Sequence, residues 1–239
     1  MIINKNEFDQ PIGYSIEDWV PREMPGNVIL KGNFCTLEPL SVNRHADDLY
    51  AAYATAPDSR DWTYLPNGPF TNELEYRHYI EAAAKTSDPK HFAVVSNHSS
   101  KAVGILALMR VEPLHGVIEV GHVAFSPLLK QQTAATEAQF LLMAYVFDDL
   151  KYRRYEWKCD SLNAPSRKAA ERLGFSFEGI FRQALVYKGR SRDTAWHSII
   201  DKEWPVLKQA FQSWLSKSNF DENQSQIQSL ISIRQSLSC

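Results

Sequence analysis

Apolar positions along this chain follow two rhythms, and the places where one gives way to the other mark its elements. Val117–Phe125 is rich in β-branched and aromatic residues and stops at Ser126-Pro127, which predicts a strand. From about Ala134 the period lengthens: Ala135, Ala138, Leu142, Tyr145 and Val146 fall at three- and four-residue spacings, so an amphipathic helix lies on the sheet. Ahead of this unit, residues 33–40 alternate as a first strand. Ser41 is placed to cap a helix through His45, Leu49, Ala52 and Tyr53, and Thr71-Asn72-Glu73 opens a second one carrying Leu74, Tyr76, Tyr79, Ile80 and Ala84. Residues 92–96 and 103–110 are apolar runs joined by a polar stretch, and with Val117–Phe125 they predict three neighbouring antiparallel strands.

Further on, residues 155–160 read as a strand and 163–173 as a helix with an Asn cap, Pro165 in the first turn and Gly174 as its stop. Strands at about 177–187 and 192–200 face each other across Lys188-Gly189-Arg190, and 204–214 is helical. Residues 1–30 are broken by Pro11, Gly13, Pro21, Pro25 and Gly26, giving an irregular lead-in in which Trp19 is a candidate for packing. The tail 216–239 is rich in Ser and Gln, with Ile227, Leu230, Ile231 and Arg234 spaced for a turn or two of helix. One long central helix with strands before and after it fits a mixed α/β sheet better than a doubly wound one.

The turn Lys130-Gln131-Gln132-Thr133-Ala134-Ala135 joins the central strand to the central helix. Such a turn aims unpaired backbone N–H groups and the positive end of the helix dipole outward, a place for an anion; the same spacing also serves a polar helix start with no ligand.

With 239 residues, 44% of them hydrophobic and 23% charged, the chain has enough apolar material for one sizeable folded domain. We place that domain at 31–215, between the N-terminal extension 1–30 and the tail. A net charge of −2 gives no basic footprint, so direct nucleic-acid binding is not expected. Cys35, Cys159 and Cys239 are widely spaced without a C-x-x-C pair, which suggests neither a disulfide framework nor a metal site and points to a reducing compartment. No stretch approaches the ~18 apolar residues needed to span a bilayer, and the first residues lack an apolar signal core, so a cytoplasmic, membrane-free protein is expected. Phosphate-loop, dinucleotide, nucleophile-elbow and zincin signatures are absent.

Two segments carry a family resemblance. The turn 130–135 followed by Thr136-Glu137-Ala138 resembles the acyl-CoA loop of the GNAT N-acetyltransferases, Gln/Arg-x-x-Gly-x-Gly/Ala, with Lys130 in place of Arg or Gln and Thr133 in place of Gly. Asn163-Ala164-Pro165-Ser166 leading to Gly174-Phe175 and Glu178-Gly179 resembles that family's Asn-x-x-Ser…Gly-Phe segment, in the manner of its RimJ/RimL branch. The resemblance spans about 32–214. It implies a GNAT-like α/β fold with a mixed, mostly antiparallel sheet flanked by helices. It also implies acetyl-CoA as co-substrate, no metal, and transfer of acetyl to a primary amine on a small molecule or a protein N-terminus, by a monomer or a homodimer. Cofactor contacts carry over to Val123, Ala124 and Phe125 on the strand, to Lys130, Gln131, Gln132, Thr133, Ala134, Ala135 and Thr136 in the loop, and to Asn163.

Acyl transfer from a thioester to an amine needs a neutral amine, a stabilised oxyanion and a protonated leaving thiolate. The family leaves the oxyanion largely to a backbone N–H on the strand before the loop, near Val123. For the base, Glu119 and His122 are the ionisable side chains on that strand; simple alternation puts them on opposite faces unless a bulge intervenes, and Glu119 is the first choice. Many relatives carry a Tyr acid near Ala170, so Ser166, one helical turn earlier on the same face, is the candidate for protonating the CoA sulfur.

Acceptor contacts are expected from Trp62, Tyr64 and Phe70 in an aromatic loop and from Tyr187 and Arg190 on the late hairpin, a surface suited to an apolar group plus a carboxylate or phosphate. Two other classes remain open: a non-catalytic acyl-CoA-binding module, favoured by Thr133 and Ala170, and a nucleotide-phosphate binder, which lacks an acidic ribose or magnesium site.

Overall fold

The computed structural model describes residues 4–223 and 225–237. Cys239, named above among the cysteines, lies outside that range; Cys35 and Cys159 are buried free thiols. Among the described residues ten strands and six α-helices follow in the order β1 (Asn4–Lys5), β2 (Pro11–Ile12), β3 (Leu30–Lys31), β4 (Cys35–Pro39), α1 (Val42–Tyr53), α2 (Glu73–Ala84), β5 (Lys90–Ser96), β6 (Ala102–Glu112), β7 (Val117–Phe125), α3 (Thr133–Ala144), β8 (Arg154–Asp160), α4 (Ala164–Leu173), β9 (Ser176–Tyr187), β10 (Arg190–Ile200), α5 (Trp204–Leu215) and α6 (Leu230–Leu237).

Eight strands form one sheet, ordered β3-β4-β5-β6-β7-β8-β10-β9. Every pairing is antiparallel except β7 with β8, because the α3 crossover between them returns the chain in the same direction. The expected run β5-β6-β7 and the expected β9-β10 hairpin are both present, the latter closed by a two-residue turn at Lys188 and Gly189 with φ of 48° and 70°, the left-handed pair such a turn requires. Its insertion as β8-β10-β9 has no local signature.

The pleat separates two cores. Phe92, Val94, Leu106, Leu108, Ile118, Val120, Tyr155 and Trp157 face α3 to α6, whereas Ala93, Ile105 and Ala124 face Ala46, Leu49, Tyr76 and Ile80 of α1 and α2. The first core includes Leu230 and Ile233, so α6 is built into the same interior; the buried Asn219 ties its approach by bonding the carbonyls of Trp214 and Gln228 and the amide of Gln228. In the lead-in, Trp19 does pack: its Nε1 donates to the Leu114 carbonyl (2.8 Å), and its ring fills the space where a Cβ on Gly116 would stand.

Caps follow the sequence signals with one exception. Asn72 and Asn163 accept from the amides of Glu75 and Ser166 at the starts of α2 and α4, and Gly174 leaves α4 at φ 105°. Ser41 does not cap α1 with its side chain; instead its N–H donates to Nδ1 of the buried His45 (3.1 Å), whose Nε2 reaches Glu38. Among the described residues no helix is long and apolar enough to cross a membrane.

Candidate active site

The site grows out of a defect in β7. Ile105 pairs with Ala124 but Ala107 pairs with Gly121, so Leu106 alone faces both His122 and Val123: a β-bulge, with His122 at φ 49°. The extra residue reverses the alternation. Glu119, Gly121 and Ala124 oppose Met109, Ala107 and Ile105, all on the α1/α2 side, and His122 meets His91 on that side too (ring centroids 5.0 Å apart). Glu119 and His122 therefore share a face, which regular alternation would forbid.

Beyond Val120 the neighbouring strand is lost as well. β7 and β8 pair only from Val117 with Arg154 to Val120 with Trp157, although both strands run on. The Ser126 amide bonds to the Val103 carbonyl, which fixes the parity: Ala124 turns its peptide groups toward β6, and Val123 and Phe125 turn theirs into the gap beside β8. Val123 and Phe125 thus offer unpaired backbone there. Ala124 does not; its carbonyl takes the hydroxyl of Tyr53.

Glu119 is buried in a line of alternating charges. Its carboxylate lies 3.1 Å from Lys158 Nζ and 3.5 Å from Arg110; Lys158 continues to Glu156 (2.6 Å), and Arg154 links Glu156 (2.7 Å) to Glu178. Burial pushes the Glu119 carboxyl up, against the pull of Lys158 and Arg110. Lys158 also stands 3.7 Å over the Trp196 ring, which stacks on Phe181. His122 is different: no described residue bonds either ring nitrogen, and burial, with Arg110 nearby, holds its pKa below the ordinary value, so the ring is neutral at pH 7.

At the start of α3, the amides of Lys130, Gln132 and Ala135 are spent on the carbonyls of Ser126, Leu129 and Gln132. Those of Gln131, Thr133 and Ala134 find no acceptor among the described residues, so the anion-directed part of the turn narrows to three N–H groups. Thr136 faces inward: it is buried and its Oγ1 accepts from Arg172 (2.6 Å). Lys130 reaches Asp61 in the loop after α1.

Ser166 sits across the sheet from Glu119. Trp157, its partner, projects to the α3/α4 side, whereas Glu156 and Lys158 project with Glu119 to the other. The two side chains of the expected acid–base pair can meet only through the gap between β7 and β8. Ser166 Oγ accepts from Trp157 Nε1 (3.0 Å), leaving its O–H to donate, and lies by the thiol of Cys159. Asn163 spends its side-chain oxygen on the Ser166 amide (3.2 Å).

The aromatic loop and the late hairpin come together as expected, but by different contacts. Lys188 Nζ donates to the carbonyls of Trp62 (2.7 Å) and Asn67 (3.3 Å), and Arg190 to that of Thr63 (2.8 Å). Tyr64 donates to the Leu162 carbonyl and Tyr187 to Asp160. The two cations fasten the loop, Arg190 through one of its guanidinium nitrogens. Trp62 and Phe70 pack on Tyr53, Tyr76 and Tyr79 as part of the α1/α2 core. The loop is thereby tied to the α3 turn through Lys130, to the start of α4 through Tyr64, and to the hairpin.

Sequence reasoning missed His91, Tyr53, Lys158 and Trp196. Lys158 had a signal: charges at every second position of β8, Arg154, Glu156, Lys158 and Asp160, mark one strand face. His91 and Tyr53 had none, since only strand order and helix placement bring them to β7. No group of three or more His, Cys, Asp or Glu among the described residues is arranged to hold a metal.

Comparison with known proteins agrees with this architecture. The sequence model described as the acetyltransferase (GNAT) domain matches residues 35–176. The uncharacterized N-acetyltransferase YnaD of Bacillus subtilis is 25% identical over 157 residues, covering 66% of this chain and 90% of that protein. The crystal structure of a GCN5-related N-acetyltransferase from Brucella melitensis is 48% identical, covering 92% of this chain and 100% of that one, with a TM-score of 0.90. RimL, a ribosomal L7/L12 α-N-protein acetyltransferase, shares the fold at 20% identity and a TM-score of 0.62, over 76% of this chain and 98% of its own. A bulged strand that parts from its parallel neighbour beside a helix start with unpaired amides, inside a matching domain of this extent, places the chain in the GNAT family of N-acetyltransferases.

Proposed function

We propose that the protein transfers the acetyl group of acetyl-CoA to a primary amine, on a small molecule or at a protein N-terminus. The observation that carries this reading is the gap between β7 and β8. The peptide groups of Val123 and Phe125 open into it from one side. At its end lie the amides of Gln131, Thr133 and Ala134. Three N–H groups at a helix start suit a pyrophosphate, and an extended pantetheine arm suits an unpaired strand edge. With the thioester in the gap, the Val123 N–H is the donor for the oxyanion.

For the base, the two candidates on β7 now differ in availability. Glu119 is engaged by Lys158 and Arg110, whereas His122 is neutral with nitrogens no described residue occupies. We assign the base to His122 and give Glu119 the role of balancing Lys158 and Arg110 beside it. In the step, the amine nitrogen bonds to the thioester carbonyl carbon, its proton passes to His122, the C–S bond breaks, and the thiolate receives the Ser166 hydroxyl proton as a solvent water returns one to the serine, while His122 gives its proton back to solvent. Asn163 orients Ser166 through the helix cap.

The test is thiol release from acetyl-CoA across an amine library. Amine-dependent release that falls about 10²-fold or more in His122→Gln is expected of a general base. Tight CoA binding with no release for any amine would leave a binding module instead; full activity in His122→Gln with loss in Glu119→Gln would return the role to Glu119.

A further inference from the structure

Glu119 lies between two bulges, one on β7 and one on β6. The first turns His122 to its face. In the second, Met109 pairs with Glu119 but Glu112 pairs with Val117, so Arg110 and Val111 share the place opposite Ile118. Arg110 takes the left-handed conformation there, with φ of 47° beside 49° at His122. For a residue with a long side chain this is strained backbone, kept only where the surroundings hold it. Asp88, ahead of β5, does the holding: its two carboxylate oxygens accept the amides of Arg110 (2.9 Å) and Val111 (3.1 Å).

The effect repeats the one at His122. Regular alternation from Met109 would send Arg110 to the α3/α4 side; with the extra residue its guanidinium lies 3.5 Å from the Glu119 carboxylate, on the α1/α2 side. From there it bears on both ionisable groups of β7, drawing the Glu119 carboxyl down against burial and holding His122 unprotonated. Two strained bulges on adjacent strands thus aim a cation and a neutral imidazole at one face.

The cations of this face are not alike. Lys158 is enclosed, its side chain 6% exposed, between Glu119, Glu156 and the Trp196 ring. Lys188 and Arg190 hold loop carbonyls, and Arg192 bonds Thr194 through Nε. Arg110 is the open end of the charged row. Its side chain is 47% exposed, and its guanidinium makes no hydrogen bond to any described residue. That group carries five N–H donors in a planar fork that matches a carboxylate.

We propose that Arg110 reads an α-carboxylate on the acceptor, so that the amine acetylated is that of a free amino acid rather than of a decarboxylated amine or a peptide N-terminus. The assignment rests on the proposed acetyl transfer and stands whichever β7 side chain is the base. With the amine at His122 and the carboxylate at Arg110, one small molecule spans the two bulges across Glu119. Lys158, 3.1 Å from Glu119, keeps that carboxylate matched while Arg110 turns to the substrate. In a peptide the same position holds a neutral amide, to which the fork offers hydrogen bonds without charge. A phosphate there would set two negative charges beside Glu119, where a carboxylate sets one.

The experiment measures kcat/KM at saturating acetyl-CoA for α-amino acids, their amides, the matching decarboxylated amines and phosphoethanolamine, in the full-length wild type, Arg110→Gln, Arg110→Lys and Asp88→Ala. The wild type should prefer an accepted amino acid over its amide by about tenfold to a hundredfold, the scale of a charged hydrogen-bonded pair. Arg110→Gln should bring that ratio close to one; any effect it has through His122 or Glu119 is common to acid and amide and cancels. Arg110→Lys, a point charge without the fork, should recover part of the ratio. Asp88→Ala, which releases the bulge and keeps the guanidinium, should lower the ratio by less than Arg110→Gln. A wild-type ratio near one, or a high ratio that Arg110→Gln leaves intact, overturns the role of Arg110. Preference for phosphoethanolamine over every amino acid overturns the carboxylate. Thiol release with no amine of any kind overturns acetyl transfer itself and this proposal with it, a result set apart from the others because the neutral amines fail too.

Discussion

Lys130, at the head of the turn into α3, is ion-paired with Asp61 in the loop after α1, so the residue nearest the proposed pyrophosphate site is tied to the loop that holds the late hairpin. An arriving pyrophosphate competes with Asp61 for the same ammonium. Asp61→Asn should therefore tighten CoA binding several-fold and Lys130→Met should weaken it, both measured by calorimetry at low salt, where partly exposed charges count most. Equal affinities in all three proteins would show that Lys130 does not take part.

Thr133 is the first helical residue of α3 and follows Gln132 in an extended conformation (ψ 155°), the setting a proline accepts without strain. Thr133→Pro should fold normally while deleting one of the three unpaired N–H groups. A loss of about tenfold in CoA affinity is expected, the worth of one hydrogen bond to a charged group. Unchanged affinity would remove the turn from the cofactor site.

Ser166→Ala separates chemistry from folding. The Trp157 indole N–H loses its acceptor, a cost of about 1–3 kcal/mol in denaturant unfolding. As thiolate donor, its loss should also lower kcat while leaving KM for acetyl-CoA nearly unchanged. A stability loss without a kcat effect would confine Ser166 to a structural role.

Glu137, buried in the second turn of α3, accepts from the amides of Asn33 (2.7 Å), Phe34 (2.6 Å) and Cys35 (2.8 Å), and so ties the β3–β4 turn to the helix. In Glu137→Gln an NH₂ group must face donors, and about 3 kcal/mol or more of stability should go. Gly32→Ala attacks the same junction, since its Cβ would stand 2.4 Å from the carboxylate. Both are read from urea midpoints.

His91 gives a pH-dependent contribution to stability. Its pKa falls from the ordinary 6.5 to about 4 on burial, so between those values the unfolded chain binds a proton that the folded chain does not. Its contribution is full above about 6.5 and declines as the pH drops toward 4. The urea midpoint of the wild type should fall more steeply over that range than that of His91→Phe; parallel curves would contradict the buried neutral ring.

Much of the fold could be read along the chain because its signals are local. Period, caps and breakers lie within a few residues of what they govern, and Asn72, Asn163 and Gly174 act where their spacing put them. At Ser41 the link between cap and helix runs the other way, from the Ser41 N–H to His45 Nδ1 one turn on, a contact set by the burial of His45 rather than by the cap residue. In the tail, Leu230 fell at a helical spacing but Ile233 did not stand out from the Ser- and Gln-rich composition, and the two suffice once α5 offers a surface.

By itself the sequence determined the strand–turn–helix unit, the turn of unpaired amides before α3, the Asn163 cap and the short list of ionisable side chains on β7, all set by neighbours in the chain. Tertiary structure decided the rest. The bulge at His122 depends on how β7 registers against β6, and it alone brings Glu119 and His122 to one face. The pairing of His122 with His91 depends on strand order and on Ala107 and Gly121 lying between them, and the engagement of Glu119 by Lys158 depends on which strand lies parallel to β7. Register and strand order are fixed by burial summed over a whole sheet, a quantity no local window contains.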